Sequence, residues 1–155
     1  MSKRNVYLLA VAVVVITAIV STILYRSVHA PFACRSSTKI LRGDGDVFDM
    51  NLHLKSAAGK ATMTVNGKYF SSDGHEHNLY SQGAYRYEIQ GKGSIKVTLT
   101  SITPFTADRS EEHMNSYVYG VLPGESRNFR LKWINKNLLL IGTDFAWVYA
   151  CTRET

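Results

Sequence analysis

Two hydrophobic patterns divide the chain. From Val6 to Tyr25 the sequence VYLLAVAVVVITAIVSTILY holds no charge and neither proline nor glycine. At ~1.5 Å rise per residue, this run makes a helix of roughly 30 Å, the thickness of a bilayer core. Beyond it, apolar and polar residues alternate one by one, the period of half-buried strands. The expected organisation is a tail over 1–5, a transmembrane helix over 6–25, a linker over 26–33 and a β domain over 34–155.

The alternation is clearest from Phe48 to Lys55. Phe48, Met50, Leu52 and Leu54 point one way, and Asp49, Asn51, His53 and Lys55 the other. Ser56-Ala57-Ala58-Gly59 reads as a turn, followed by Ala61, Met63 and Val65 against Thr62 and Thr64. Asn66-Gly67 fits a tight hairpin or a bulge. Tyr85, Tyr87 and Ile89, then the turn Gly91-Lys92-Gly93, then Ile95, Val97 and Leu99 form a second hairpin. Further strands are expected at Ser116–Val121, Phe129–Ile134, Leu138–Gly142 and Phe145–Cys151. Pro123-Gly124 and Asn135-Lys136-Asn137 are turns between them. Only Ala107–Asn115 suits a turn or two of helix.

These elements predict a mainly β fold with an antiparallel meander of about eight strands. A lipocalin-like barrel or a strongly curved sheet hides the edges of such a meander. Eight strands enclose an interior that side chains fill, or one that holds a small apolar ligand.

Charge orients the apolar run. Lys3 and Arg4 precede it and no acidic residue occurs before Asp44. The tail is therefore expected in the cytoplasm and the β domain across the membrane. A cleaved signal peptide competes, but the run exceeds the usual 7–15 residues and Pro31 follows the small-residue site at Ala30. A lipoprotein would be lipidated at Cys34, which lies nine residues past the run in a poor lipobox.

Cys34 and Cys151 are the only cysteines. In an exported domain an even number reads as a structural disulfide. The alternatives are two free buried thiols or a link to a partner chain. Two cysteines with no CxxC and no neighbouring histidine do not complete a zinc site.

The net charge of +6 carries no clustered Lys/Arg run, helix-turn-helix or RNP pattern, so no direct nucleic-acid binding is expected. Motifs of hydrolases, zinc proteases, P-loops and dinucleotide sites are missing. No catalytic residue, metal site or cofactor is expected, and Gly43-Asp44-Gly45-Asp46 lacks the rest of a calcium loop. His75 and His77, in the polar stretch Ser71–Asn78, and His113, after Glu111-Glu112, are candidates for pH sensing. Tyr85, Tyr87, Tyr117, Tyr119, Trp133 and Trp147 are candidates for facing a ligand or partner, against a plain role as strand filling.

The layout resembles the FidL-like family of small bacterial inner-membrane proteins, and more loosely ToxS- and VtrC-like accessory partners of membrane-bound transcriptional regulators. The resemblance rests on Cys34, FDMNLHLKSAAGKATMTVNGKY, YRYEIQGKGSIKVTL and the closing NLLLIGTDFAWVYACTR. It implies a single-pass protein of the bacterial inner membrane with a periplasmic C-terminal domain. That domain would form a heterodimer with a membrane-bound winged-helix regulator, stabilise it, and help it sense bile salts, another lipophilic ligand or acid. A stand-alone lipocalin-like binding module and a structural envelope component are the other readings, with an enzyme behind them.

Overall fold

The alternating segments become one continuous antiparallel ladder in the computed structural model. It describes residues 3–29, 31–91, 93–106 and 114–154, with side chains in the N-terminal helix limited to Tyr7 and 10–22. The chain divides into two units, Met1–Ala30 and Pro31–Thr155.

The first unit is helix α1 (Lys3–His29). Its described side chains from 10 to 22 are all exposed, although ten of the thirteen are alanine, valine or isoleucine. The hydroxyls of Thr17 and Thr22 donate back to the carbonyls of Val13 and Ala18 at 2.9 and 2.8 Å, so neither needs an outside partner. Among the described residues, no helix is long and apolar enough to cross a membrane. The expected span over 6–25 extends beyond the described side chains at both ends.

The second unit contains β1 (Phe32–Leu41), β2 (Val47–Ala57), β3 (Lys60–Phe70), β4 (Glu76–Gly91) and β5 (Ser94–Pro104), then α2 (Asn115–Tyr119), β6 (Ser126–Trp133), β7 (Leu138–Gly142) and β8 (Trp147–Arg153). Each strand pairs with its neighbour in sequence and β8 returns to β1, closing an eight-stranded barrel. The strongly alternating strands pair longest: β2 with β3 and β3 with β4, each over eleven residue pairs. Phe48, Met50, Leu52, Met63, Val65, Leu79 and Leu99 point inward as the period-two pattern requires and form the core.

The interior is filled from one further source. Met114, Val118, Tyr119 and Val121, contributed by α2 and its flanks, are buried in the same cluster as the inward strand residues. This corrects the strand expected at Ser116–Val121. Ser-Tyr-Val-Tyr alternates, but its buried positions fall at 114, 118, 119 and 121, and the adjacent buried pair Val118-Tyr119 breaks the period of a strand. The helical turn expected over Ala107–Asn115 falls mostly on 107–113, which lie outside the described residues; α2 begins at its last position, Asn115.

Asn66-Gly67 is neither a hairpin nor a bulge. It lies within β3, where Gly67 pairs with Met50 and Leu79 in unbroken register. A Cβ there would stand 2.1 Å from the Asp49 carbonyl oxygen, so glycine is required by the close approach of β2. The polar stretch Ser71–Asn78 is a loop only to His75, because β4 already begins at Glu76.

Candidate functional site: the seam between β1 and β8

Closure of the barrel is uneven. β1 pairs with β2 over ten residue pairs but with β8 over two, Cys34↔Arg153 and Arg35↔Thr152. Along the rest of β1, from Ser36 to Leu41, β2 is the only ladder partner among the described residues. A strand so placed keeps a row of backbone N–H and C=O groups facing outward.

The paired end of the seam is secured three times over. Cys34 and Cys151 form a disulfide with Cα atoms 5.5 Å apart, packed with Leu139 in a small core of its own. The Glu154 N–H donates to the Ala33 carbonyl at 2.9 Å. The Glu154 carboxylate accepts from Arg35 and, at 2.9 Å, lies against His53 Nε2. The His53 hydrogen bond first, with Arg35, holds that carboxyl below its usual range. Next along β1, Ser36 is buried and its hydroxyl has no hydrogen-bond partner among the described residues.

The other end of β1 is organised by Arg42, which directly follows the strand. Its guanidinium lies 4.0 Å above the Tyr117 ring and donates to the Tyr117 hydroxyl at 3.1 Å. It also reaches the Asp44 and Asp46 carboxylates at 2.7 and 3.1 Å. Asp46 accepts from the Tyr69 hydroxyl at 2.7 Å and the Ser72 N–H at 2.9 Å. The Tyr69 bond chiefly, then the Ser72 N–H and Arg42, lowers the Asp46 pKa. Donating to that carboxylate pushes Tyr69 up to about 12. Through Tyr117, this cluster latches α2 to the end of β1.

Inside, tyrosines hold the other side of α2. Tyr119 donates to Ser81 Oγ at 2.7 Å. Tyr149 and Tyr85 donate to the Val118 and Tyr119 carbonyls at 3.2 and 3.4 Å, satisfying groups that a helix end leaves free. Burial raises the Tyr149 pKa to about 12 and that of Tyr85 well above its usual value. Gly83 makes room, since a Cβ would come within 2.7 Å of the Tyr119 ring.

The six aromatics singled out in the sequence do not share one face. Tyr85 and Tyr119 are interior, Tyr87 is half-buried in β4, and Tyr117 is exposed on α2. Trp133 lies exposed at the end of β6 beside Phe32, and Trp147 at the start of β8 near Arg130. His75 is exposed in the Ser71–His75 turn, 3.9 Å from Asp73. His77 is half-buried in β4 with its ring 5.8 Å from that of Tyr69. His113 lies outside the described residues. No group of metal-ligating side chains occurs among the described residues.

Sequence reasoning missed Arg42, Asp46, Tyr69 and the His53–Glu154 contact. The partners are 23 to 101 residues apart in pairs such as Tyr69–Asp46 and His53–Glu154, so no local spacing connects them. The chain matches no family model and no curated protein.

Proposed function

We propose that this chain is a non-enzymatic accessory subunit of a membrane-bound transcriptional regulator, anchored by α1 in the bacterial inner membrane with its barrel in the periplasm. The observation that carries the reading is the run of β1 from Ser36 to Leu41, which among the described residues pairs with β2 alone. A strand from the regulator's periplasmic domain adds to that edge, satisfying its backbone groups, while alternate side chains set specificity. The anchor reading is supported by α1's apolar, all-exposed middle, which a helix in water does not sustain. The Cys34–Cys151 bridge supports an oxidising compartment.

The sensing role rests on α2. A bile salt or other lipophilic ligand competes with α2 for the interior, so entry requires release of the Arg42–Tyr117 latch. Acid weakens the same latch by protonating Asp46.

Co-expressing the full chain with the regulator encoded beside it, and purifying both in detergent, tests the proposal. A one-to-one complex is expected, with slowed amide exchange across Ser36–Leu41. Separate monomers, or a complex that leaves those amides unchanged, would sink it. The stand-alone binding module is favoured by the tyrosine-lined interior, and a thermal shift with bile salts in the absence of any regulator would establish it.

A further inference from the structure

A strand that adds to β1 meets side chains as well as backbone. Along Ser36–Leu41, Ser36, Thr38 and Ile40 take the inward positions, and Ser37, Lys39 and Leu41 the outward ones. Ser36 is 6% exposed, and its hydroxyl has no hydrogen-bond partner among the described residues. Buried polar groups are ordinarily satisfied, so one left open on an edge strand marks where a polar partner fits.

Lys39 is exposed and makes no ion pair among the described residues. Asp49 stands opposite it on β2 without closing such a pair, and stands opposite Lys68 on β3 as well. Of the other carboxylates near β1, Glu154 is engaged by Arg35 and His53, and Asp44 and Asp46 by Arg42. The flank of Lys39 that faces away from β2 thus has no acid among the described residues. Leu41 is 73% exposed and shares an outward row with Val47 of β2 and Phe70 of β3.

Lys39 also decides between a foreign strand and a second copy of this chain. Antiparallel self-pairing centred on Lys39 opposes the two lysines, and centred on Ser37 it opposes Lys39 to Arg35. Centred on Thr38, it leaves the lysines on the diagonal, within reach of each other. Like charges so placed destabilise a ladder, and a lysine on an edge strand guards against self-pairing. An acid on the incoming strand turns the same charge into an attraction. β5 offers a second run, Ser101–Pro104, that pairs with β4 alone among the described residues. It carries no charge, and Pro104 has no N–H to give, so it selects no partner in this way.

We propose that the regulator strand received by β1 carries an acidic residue opposite Lys39, an apolar residue opposite Leu41, and a hydroxyl or amide side chain that reaches Ser36. This rests on the reading of β1 as the regulator's docking edge. A strand that keeps the antiparallel order of the barrel places the apolar residue two positions before the acid. The polar residue follows the acid, on the opposite face of the strand.

The test uses the full chain and the regulator encoded beside it, both in detergent, with affinity read by titrating one with the other. K39E should weaken binding by ~10-fold and K39Q by ~3-fold, because the first adds repulsion to the lost attraction. Molar salt, which shortens screening to ~3 Å, should narrow the difference between them. S36A should weaken binding by ~5-fold without lowering the melting temperature of the free chain, which leaves that hydroxyl unsatisfied. One acid-to-lysine change, within the regulator segment that becomes protected from amide exchange, should restore binding to K39E.

A complex that protects Ser36–Leu41 yet holds K39E as tightly as wild type overturns the acidic pairing and leaves the edge reading standing. S36A bound as tightly as wild type overturns the contact to Ser36 in the same way. Protection of Ser36–Leu41 in the chain alone, growing with its concentration, assigns the edge to a second copy and overturns the proposal. Separate monomers, or a complex that leaves those amides unchanged, overturn the edge reading and the proposal with it.

Discussion

Replacing Cys34 and Cys151 together by alanine removes a cross-link between residues 117 apart in sequence. Freeing a loop of that length in the unfolded chain costs about 5 kcal/mol at 25 °C on the chain-entropy account. Both sulfurs are buried, at 0% and 2% exposure, and their loss leaves small voids of roughly 1 kcal/mol each. Against a typical domain stability of about 5–15 kcal/mol, the change takes away a large share. Urea unfolding in detergent should show the midpoint falling by roughly 2 M or more, given slopes of about 1–3 kcal/mol per M. The position of the bond adds a second expectation. Beside it β1 and β8 share two residue pairs, whereas β2, β3 and β4 are joined by eleven at each junction. Amide exchange should therefore accelerate first across 32–41 and 147–153, well before the β2–β4 ladder. A midpoint shift worth under ~1 kcal/mol, or equal loosening of β2–β4, would refute the view that this bond holds the seam.

Gly67→Ala places a Cβ 2.1 Å from the Asp49 carbonyl oxygen and should cost about 3 kcal/mol, read as a fall in melting temperature. Tyr119→Phe loses the bond to Ser81 and should cost about 1 kcal/mol, whereas Tyr119→Ala removes a buried ring and should cost about 3–5 kcal/mol. Asp46 has a folded pKa below its ordinary 3.8. Its contribution is therefore complete above pH 3.8 and lost as pH falls through the lower folded value. Asp46→Asn should flatten that acid limb in a melting-temperature profile, and parallel wild-type and variant curves would count against the latch. Glu154 acts in the same sense below its ordinary 4.5, so Glu154→Gln separates the two. Arg42→Gln should speed amide exchange over 114–121 and leave the β2–β3 ladder unchanged.

The strands legible in the sequence are those with strong contrast between their two faces. β2 alternates Phe48, Met50 and Leu52 with Asp49, Asn51 and His53, and the β4–β5 hairpin contrasts as sharply across its turn. β1 escaped because three of its inward positions, Cys34, Ser36 and Thr38, are small or polar and contrast little with Ser37 outside, leaving Ile40 as the one large apolar residue among them. Its hydrophobic contribution is low because the strand lies beside the disulfide and the seam. α2 was misread for the opposite reason, since tyrosine and valine favour strands and only the tertiary fit into the barrel makes them helical. The cysteine pairing was legible because two residues leave one intramolecular pairing. The Arg42 cluster was not, since its members come from the β1–β2 turn, β3, the β3–β4 turn and α2, which only the closed barrel brings together.

The seam and the interior are physically connected, and the connection passes through Arg42. The residue directly follows Leu41, the last residue of β1, so the unpaired edge ends where the latch begins. Its one guanidinium serves both sides, stacking on Tyr117 of α2 and binding the carboxylates of the β1–β2 turn. A strand added along Ser36–Leu41 restrains the backbone that aims this side chain. A ligand that displaces α2 instead pulls Tyr117 from beneath it. Protonation of Asp46 removes the carboxylate that joins Arg42 to Tyr69 and Ser72. On the proposed function, the partner strand, the lipophilic ligand and acid would all act on this one side chain, because Arg42 alone joins the end of β1 to α2 and to Asp46.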